Sequence, residues 1–200
     1  MVLSSVINAP PSSHAVWILP SRGRVGMWCL IAAESAVFMI FVVAYVFNIG
    51  KSNSGPQPKD VLDLPVFATV CLLSSSLTMH LAVHALRNGR LGAFKLWWFV
   101  TLALGTIFLA STGREWYRLI YEHGLTVSTN LFGTTYYSLV GLHAFHVTVG
   151  LTAILVAMVL AVLNKVHAEH GERADVFAMY WHFVDAVWVV VFTVVYVVSR

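Results

Sequence analysis

The sequence predicts an all-α protein, an integral membrane bundle of five transmembrane helices with its N-terminus in the cytoplasm. Three observations carry that expectation. Of 200 residues, 58% are hydrophobic and 10% are charged, outside the usual range for a soluble domain. The charges cluster between apolar runs of about 20 residues, the length that crosses a hydrocarbon core as a helix. Those runs are apolar nearly all round, not along one stripe as in a soluble bundle.

Each element follows from the pattern in turn. Residues 1–24 read as a cytoplasmic tail containing Pro10, Pro11 and Pro20. The tail lacks a short apolar core followed by a small-residue cleavage site, so no cleaved signal peptide is expected. Residues 25–200 form the membrane domain. Its first span is expected over 25–49, followed by the polar link GKSNSGPQPKDVLDLP. The second covers 65–86 and ends at the basic connector RNGRLGAFK. The third covers 94–110 and grades into STGREWYRLIYEHG, whose aromatics and charges read as an interfacial helix end. The fourth runs over 131–163, and the fifth, after NKVHAEHGERAD, over 176–198. With no internal repeat, one helical bundle is the simplest architecture.

Basic residues set the orientation. One side of the membrane carries Arg22, Arg24, Arg87, Arg90, Lys95, Lys165 and Arg173, seven in all; the other carries Lys51, Lys59, Arg114, Arg118 and Arg200, five in all. The positive-inside rule then places the N-terminus in the cytoplasm. No basic stripe with interleaved aromatics suggests nucleic acid as a partner. Cys29 and Cys71 lie inside apolar runs and read as buried thiols, not a disulfide. Trp28, Trp97, Trp98, Trp116, Trp181 and Trp188 fall mostly near span ends and read as interfacial anchors.

Ionisable residues inside the spans are the candidate functional groups. Glu34 and Asp185 each lie nine residues into a span, about 13 Å deep at 1.5 Å per residue. His182 and His80 come about one turn shallower. An isolated carboxylate at that depth is disfavoured by at least about 2.5 kcal/mol on insertion scales. A buried polar cluster is therefore expected, with Glu34 on His182 or His80 and Asp185 beside it. Such a cluster serves either as structural glue or in a proton-linked role. A second, outer-half group is expected from His143, His146 and Glu115, the two histidines sharing a helix face at i, i+3. Hydrogen bonding at a helix interface and metal ligation are both open to those histidines, although no further ligands stand at matching depth. Axial haem ligation by His80 and His182 is a further alternative, which would make the chain a small b-type electron carrier. Ala32, Ala36, Ser74, Ser75, Ser76, Thr78, Gly105, Gly141 and Gly150 permit close helix approach. The hydroxyl-rich run LLSSSLTMH reads as helix back-bonding and interhelical contact, or as a polar lining for water.

Several of these segments resemble one family. YWHFVDAVWVVVFTVVY is similar to the final helix of subunit III of the haem–copper respiratory oxidases. YYSLVGLHAFHVTVG resembles that subunit's Gly-x-His-x-x-His-Val helix, and GMWCLIAAESAVFMIF its segment with a mid-helix carboxylate. STGREWY and SSSLTMHLAVHALRNGR have counterparts in the same order, so the likeness spans about 24–200. The resemblance implies an accessory subunit without haem or copper of its own, those cofactors belonging to partner subunits. It implies direct packing on subunit I, association with subunit II and the other oxidase subunits, bound phospholipid among the membrane lipids, and support of proton uptake. It matches Glu34 to the family's carbodiimide-reactive glutamate and His182 to a histidine that pairs with it. Arg87, Arg90, His170 and Arg173 are its weak candidates for lipid headgroups. Relatives often have seven helices, and this chain is expected to correspond to a five-helix bacterial form in the plasma membrane. Quinol oxidases and nitric oxide reductases also have such relatives.

Overall fold

A computed structural model describes residues 21–52, 55–165 and 171–199. Five of its helices are long and apolar enough to cross a membrane. Helix α1 spans Arg22–Asn48, the short α2 spans Pro58–Val61, α3 spans Val66–Arg87 and α4 spans Leu91–Tyr121. Helix α5 spans Leu131–Val162 and α6 spans Gly171–Phe192, continued by a π-helical segment over Thr193–Val198.

The sequence explains where these helices start and stop. Asn130 caps α5, its Oδ1 accepting the Gly133 N–H at 2.8 Å. Helix α3 ends at Gly89, which takes φ 69°, a left-handed value that suits glycine. The Arg90 N–H then reaches the Ala85 carbonyl at 2.9 Å. Helix α5 closes in the same way on Asn164 at φ 56°, with the Lys165 N–H 2.9 Å from the Leu160 carbonyl. Helix α1 begins three residues before the expected edge, so Arg22 and Arg24 belong to its first turn. Helix α4 carries the aromatic, charged stretch through to Tyr121 as regular helix.

Helices α5 and α6 form the centre. The α3–α4 hairpin lies along one side, α3 on α6 and α4 on α5, and α1 lies along the other, touching both. Two glycines allow the close approach. A Cβ at Gly105 would stand 2.9 Å from the Trp181 ring, and one at Gly150 would also stand 2.9 Å from it. The indole of α6 thus fills a slot between α4 and α5.

This corrects the reading of the tryptophans. Trp98, Trp181 and Trp188 are fully buried core residues, whereas Trp28 is exposed. Each buried indole N–H finds an acceptor: the Ile154 carbonyl at 2.9 Å, Ser75 Oγ at 2.8 Å and Thr69 Oγ1 at 3.2 Å. Cys29 also departs from expectation: it is exposed, and only Cys71 is buried. On α1 the apolar surface continues all round, so an outward position costs a thiol nothing that sequence could register.

Candidate functional site

Glu34 on α1 meets His146 on α5, with Oε2 3.1 Å from Nε2. The other ring nitrogen, Nδ1, lies 2.8 Å from the Leu142 carbonyl one turn back. A carbonyl only accepts, so Nδ1 carries a hydrogen. The hydrogen bond to Glu34 then holds one proton between Nε2 and Oε2. Either the carboxylic acid donates to imidazole, or imidazolium donates to carboxylate; both arrangements are neutral overall. That neutrality is how a mid-helix carboxyl group is accommodated. Phe38 and Phe145 flank the imidazole at centroid distances of 5.0 and 5.6 Å.

The expected partners of Glu34 were His182 or His80, and the structure assigns it His146 instead. The physical reason is helix length. Helix α5 has 32 residues, about 48 Å of helix against a core of about 30 Å, so its first turns lie outside the hydrocarbon. His146, 15 residues past Leu131, falls to mid-bundle instead of the outer half.

His182 and Asp185 meet on a third residue, Ser76 of α3. Ser76 Oγ lies 2.9 Å from His182 Nδ1 and donates its hydrogen to Asp185 Oδ2. A hydroxyl has one hydrogen, so His182 Nδ1–H is the donor to Ser76. Asp185 is buried, and its Oδ1 has no hydrogen-bond partner among the described residues. Ser75 and Thr78 of LLSSSLTMH also bridge helices or back-bond. Ser75 donates to the Leu72 carbonyl, and Thr78 meets Thr101 of α4 at 2.7 Å. His80 is exposed and shares with His182 a cavity of about 260 Å³, lined also by Arg24, His84, Arg87 and Asp175. Arg24 and Arg87 both pair with Asp175, tying α1, α3 and α6 together at that end.

The expected outer group does not assemble. Glu115 sets both carboxylate oxygens on the Tyr196 hydroxyl, at 3.1 and 3.0 Å, and Tyr196 lies 3.4 Å from the Tyr136 hydroxyl. His143 is buried between Phe108 and Trp188, with centroids 5.8 and 5.0 Å away. Neither of its ring nitrogens has a partner among the described residues. Three residues along a helix turn the side chain by about 60°. In a bundle where α5 touches three neighbours, that rotation sends His143 toward α4 and α6 and His146 toward α1. Among the described residues, no three His, Cys, Asp or Glu side chains converge as a metal site.

Of the headgroup candidates, Arg87 is engaged by Asp175, Arg90 and Arg173 are exposed, and His170 lies outside the described residues. Sequence reasoning placed Ser76 in a hydroxyl run of interhelical contacts without assigning its partners, and missed Tyr196 and the Arg24–Asp175 pair. Tyr196 was out of reach because the π-helical segment resets which face it occupies.

Five apolar spans with Glu34, His182 and Asp185 held between helices define a multi-pass membrane protein. Comparison with known proteins gives the same class. Residues 14–200 match the family described as cytochrome c oxidase subunit III. Cytochrome c oxidase subunit 3 of Alkalihalophilus pseudofirmus is 34% identical over 87% of this chain and 85% of its own length. That of Synechocystis is 36% identical over 97% and 84%. The cytochrome bo(3) ubiquinol oxidase subunit 3 of Pseudomonas aeruginosa is 33% identical over 87% and 84%. The chain belongs to the cytochrome c oxidase subunit III family. It is a multi-pass membrane protein and an accessory subunit of a haem–copper oxidase, in complex with other oxidase subunits.

Proposed function

We propose that this chain packs directly on the catalytic subunit I of a cytochrome c oxidase in a bacterial plasma membrane, without redox chemistry of its own, and sustains proton uptake during turnover. Haem and copper belong to the partner subunits. The observation that carries this reading is the surface of α1. Only 11% of its apolar window is buried, against 28–44% in the other four spans, yet it carries Glu34 with 28% of the side chain exposed. The part of that side chain left open beside His146 is better covered by protein than by lipid, and subunit I supplies the cover. Phospholipid headgroups are expected at the inner surface, where Arg24, His80, His84 and Arg87 line one cavity with Asp175. A quinol oxidase is the second reading, favoured by the 33% identity to a ubiquinol oxidase subunit 3.

The test is the complex carrying Glu34→Gln. It should co-purify with subunit I and begin oxygen reduction at the wild-type rate, then lose activity sooner in sustained turnover. Immediate, complete loss of activity in a correctly assembled complex contradicts an accessory role.

A further inference from the structure

Helices α1, α3 and α6 meet at the inner end of the bundle around the cavity of about 260 Å³ that His182 shares with His80, His84, Arg24, Arg87 and Asp175. These groups hydrogen-bond water, and the volume takes several molecules at about 30 Å³ each. His182 links the cavity to the membrane interior. Its Nδ1–H donates to Ser76 Oγ at 2.9 Å, and the Ser76 hydroxyl donates to Asp185 Oδ2. The opposite ring nitrogen, Nε2, has no hydrogen-bond partner among the described residues. Asp185 comes about one turn deeper along α6. It is 4% exposed, and its Oδ1 is buried without a partner among the described residues.

The order of the donors matters. A hydroxyl alone would tie a carboxylate to the next helix, but this hydroxyl accepts in turn from an imidazole that lines the cavity. Imidazole can bind a proton on one nitrogen and release one from the other, and a hydroxyl can accept and donate on one oxygen. We propose that His182, Ser76 and Asp185 form a proton relay that loads Asp185 from the inner-surface cavity. A proton from cavity water binds His182 Nε2. The Nδ1–H bond breaks as Ser76 Oγ takes that hydrogen, and the former hydroxyl hydrogen of Ser76 passes to Asp185 Oδ2. The imidazole ends neutral with its hydrogen on Nε2, and Asp185 ends as the neutral acid. Loading therefore removes a charge from the hydrocarbon layer, and unloading runs the same steps in reverse. Around the entry stand Arg24 of α1 and His80, His84 and Arg87 of α3, with Asp175 of α6 held by both arginines. Glu34 of α1 and His146 of α5 hold each other. The relay deepens the reading that the subunit sustains proton uptake, and it rests on that reading for its use in turnover.

The experiment uses the assembled oxidase complex grown on isotope-labelled aspartate and followed by infrared difference spectroscopy after a pH jump. Asp60 and Asp63 are exposed and Asp175 is ion-paired. A label-sensitive carboxylic acid band that vanishes when this subunit is stripped from the complex therefore reports Asp185. The wild type should gain that band as the pH falls and lose it as the pH rises. Ser76→Ala should slow the gain about a hundredfold, the lower end of what a positioned proton-transfer group contributes. Ser76→Thr, which keeps the hydroxyl, should restore the rate. A wild-type band that stays constant through the jump overturns the relay, and this reading stands even where a variant fails to assemble. Loading of Ser76→Ala at the wild-type rate also overturns it, and leaves the hydrogen bonds as a tie between helices. Slow loading in Ser76→Ala with unchanged endurance in turnover supports the relay and counts against the sustaining role, so the two readings fail separately.

Discussion

His146 has one nitrogen fixed on the Leu142 carbonyl and the other on Glu34, and this makes the two sides of the pair unequal to substitution. In Glu34→Gln the new amide can still donate to the imidazole, so the bundle should lose no more than about 1 kcal/mol, in line with interhelical hydrogen bonds in membranes. His146→Phe leaves the carboxyl group without its partner and should cost about 2.5 kcal/mol or more. Unfolding of the isolated subunit in mixed micelles measures both, and equal losses would contradict the shared-proton geometry. The titratable residues were legible in the sequence because charges stand out inside apolar runs. Their partners were not. Glu34 lies about 13 Å deep by helix rise, a depth that pointed to His182 or His80, and only the packing of α1 against α5 decides for His146. Ser76, a residue without charge, holds His182 and Asp185 together, and no depth argument ranks one serine of three above its neighbours.

The ends of α3 and α5 were legible to within a residue because polar links bound both apolar runs, and Gly89, Asn130 and Asn164 supply the turn and cap chemistry there. Their contributions can be separated. An added Cβ at Gly89 meets nothing within 4 Å, so Gly89→Ala tests the left-handed backbone alone and should destabilise the α3–α4 hairpin by about 1 kcal/mol. Asn164→Gly, at φ 56°, relieves the same conformation but gives up the exposed Lys95 Nζ–Asn164 Oδ1 hydrogen bond of 3.1 Å, so it should stay within about 0.5 kcal/mol of neutral. Thermal unfolding of both variants gives the comparison, and an equal loss in both would contradict the cap assignment. The extension of α4 through Tyr121 was legible as an interfacial helix end, from the aromatics and charges of STGREWYRLIYEHG. The π-helical segment escaped the sequence because β-branched residues such as those of TVVYVV do not encode a change of helical register.

The whole bundle turns on α5 and α6, and on one indole between three helices. The sequence showed five spans and the small residues that let them approach, but read Trp181 as an anchor because it falls near the expected start of its span. Helix α6 begins at Gly171, which carries Trp181 well inside. Gly105→Ala and Gly150→Ala each press on the same ring and should each cost about 1–3 kcal/mol, the range for overpacking. Because they share one neighbour, the double variant should depart from the sum of the singles by at least about 0.5 kcal/mol. A strictly additive cycle would show that the two glycines serve separate contacts. The slot has a further consequence for biogenesis. Ribosomes complete α4 and α5 before α6, so both walls of the slot exist before the indole that fills it.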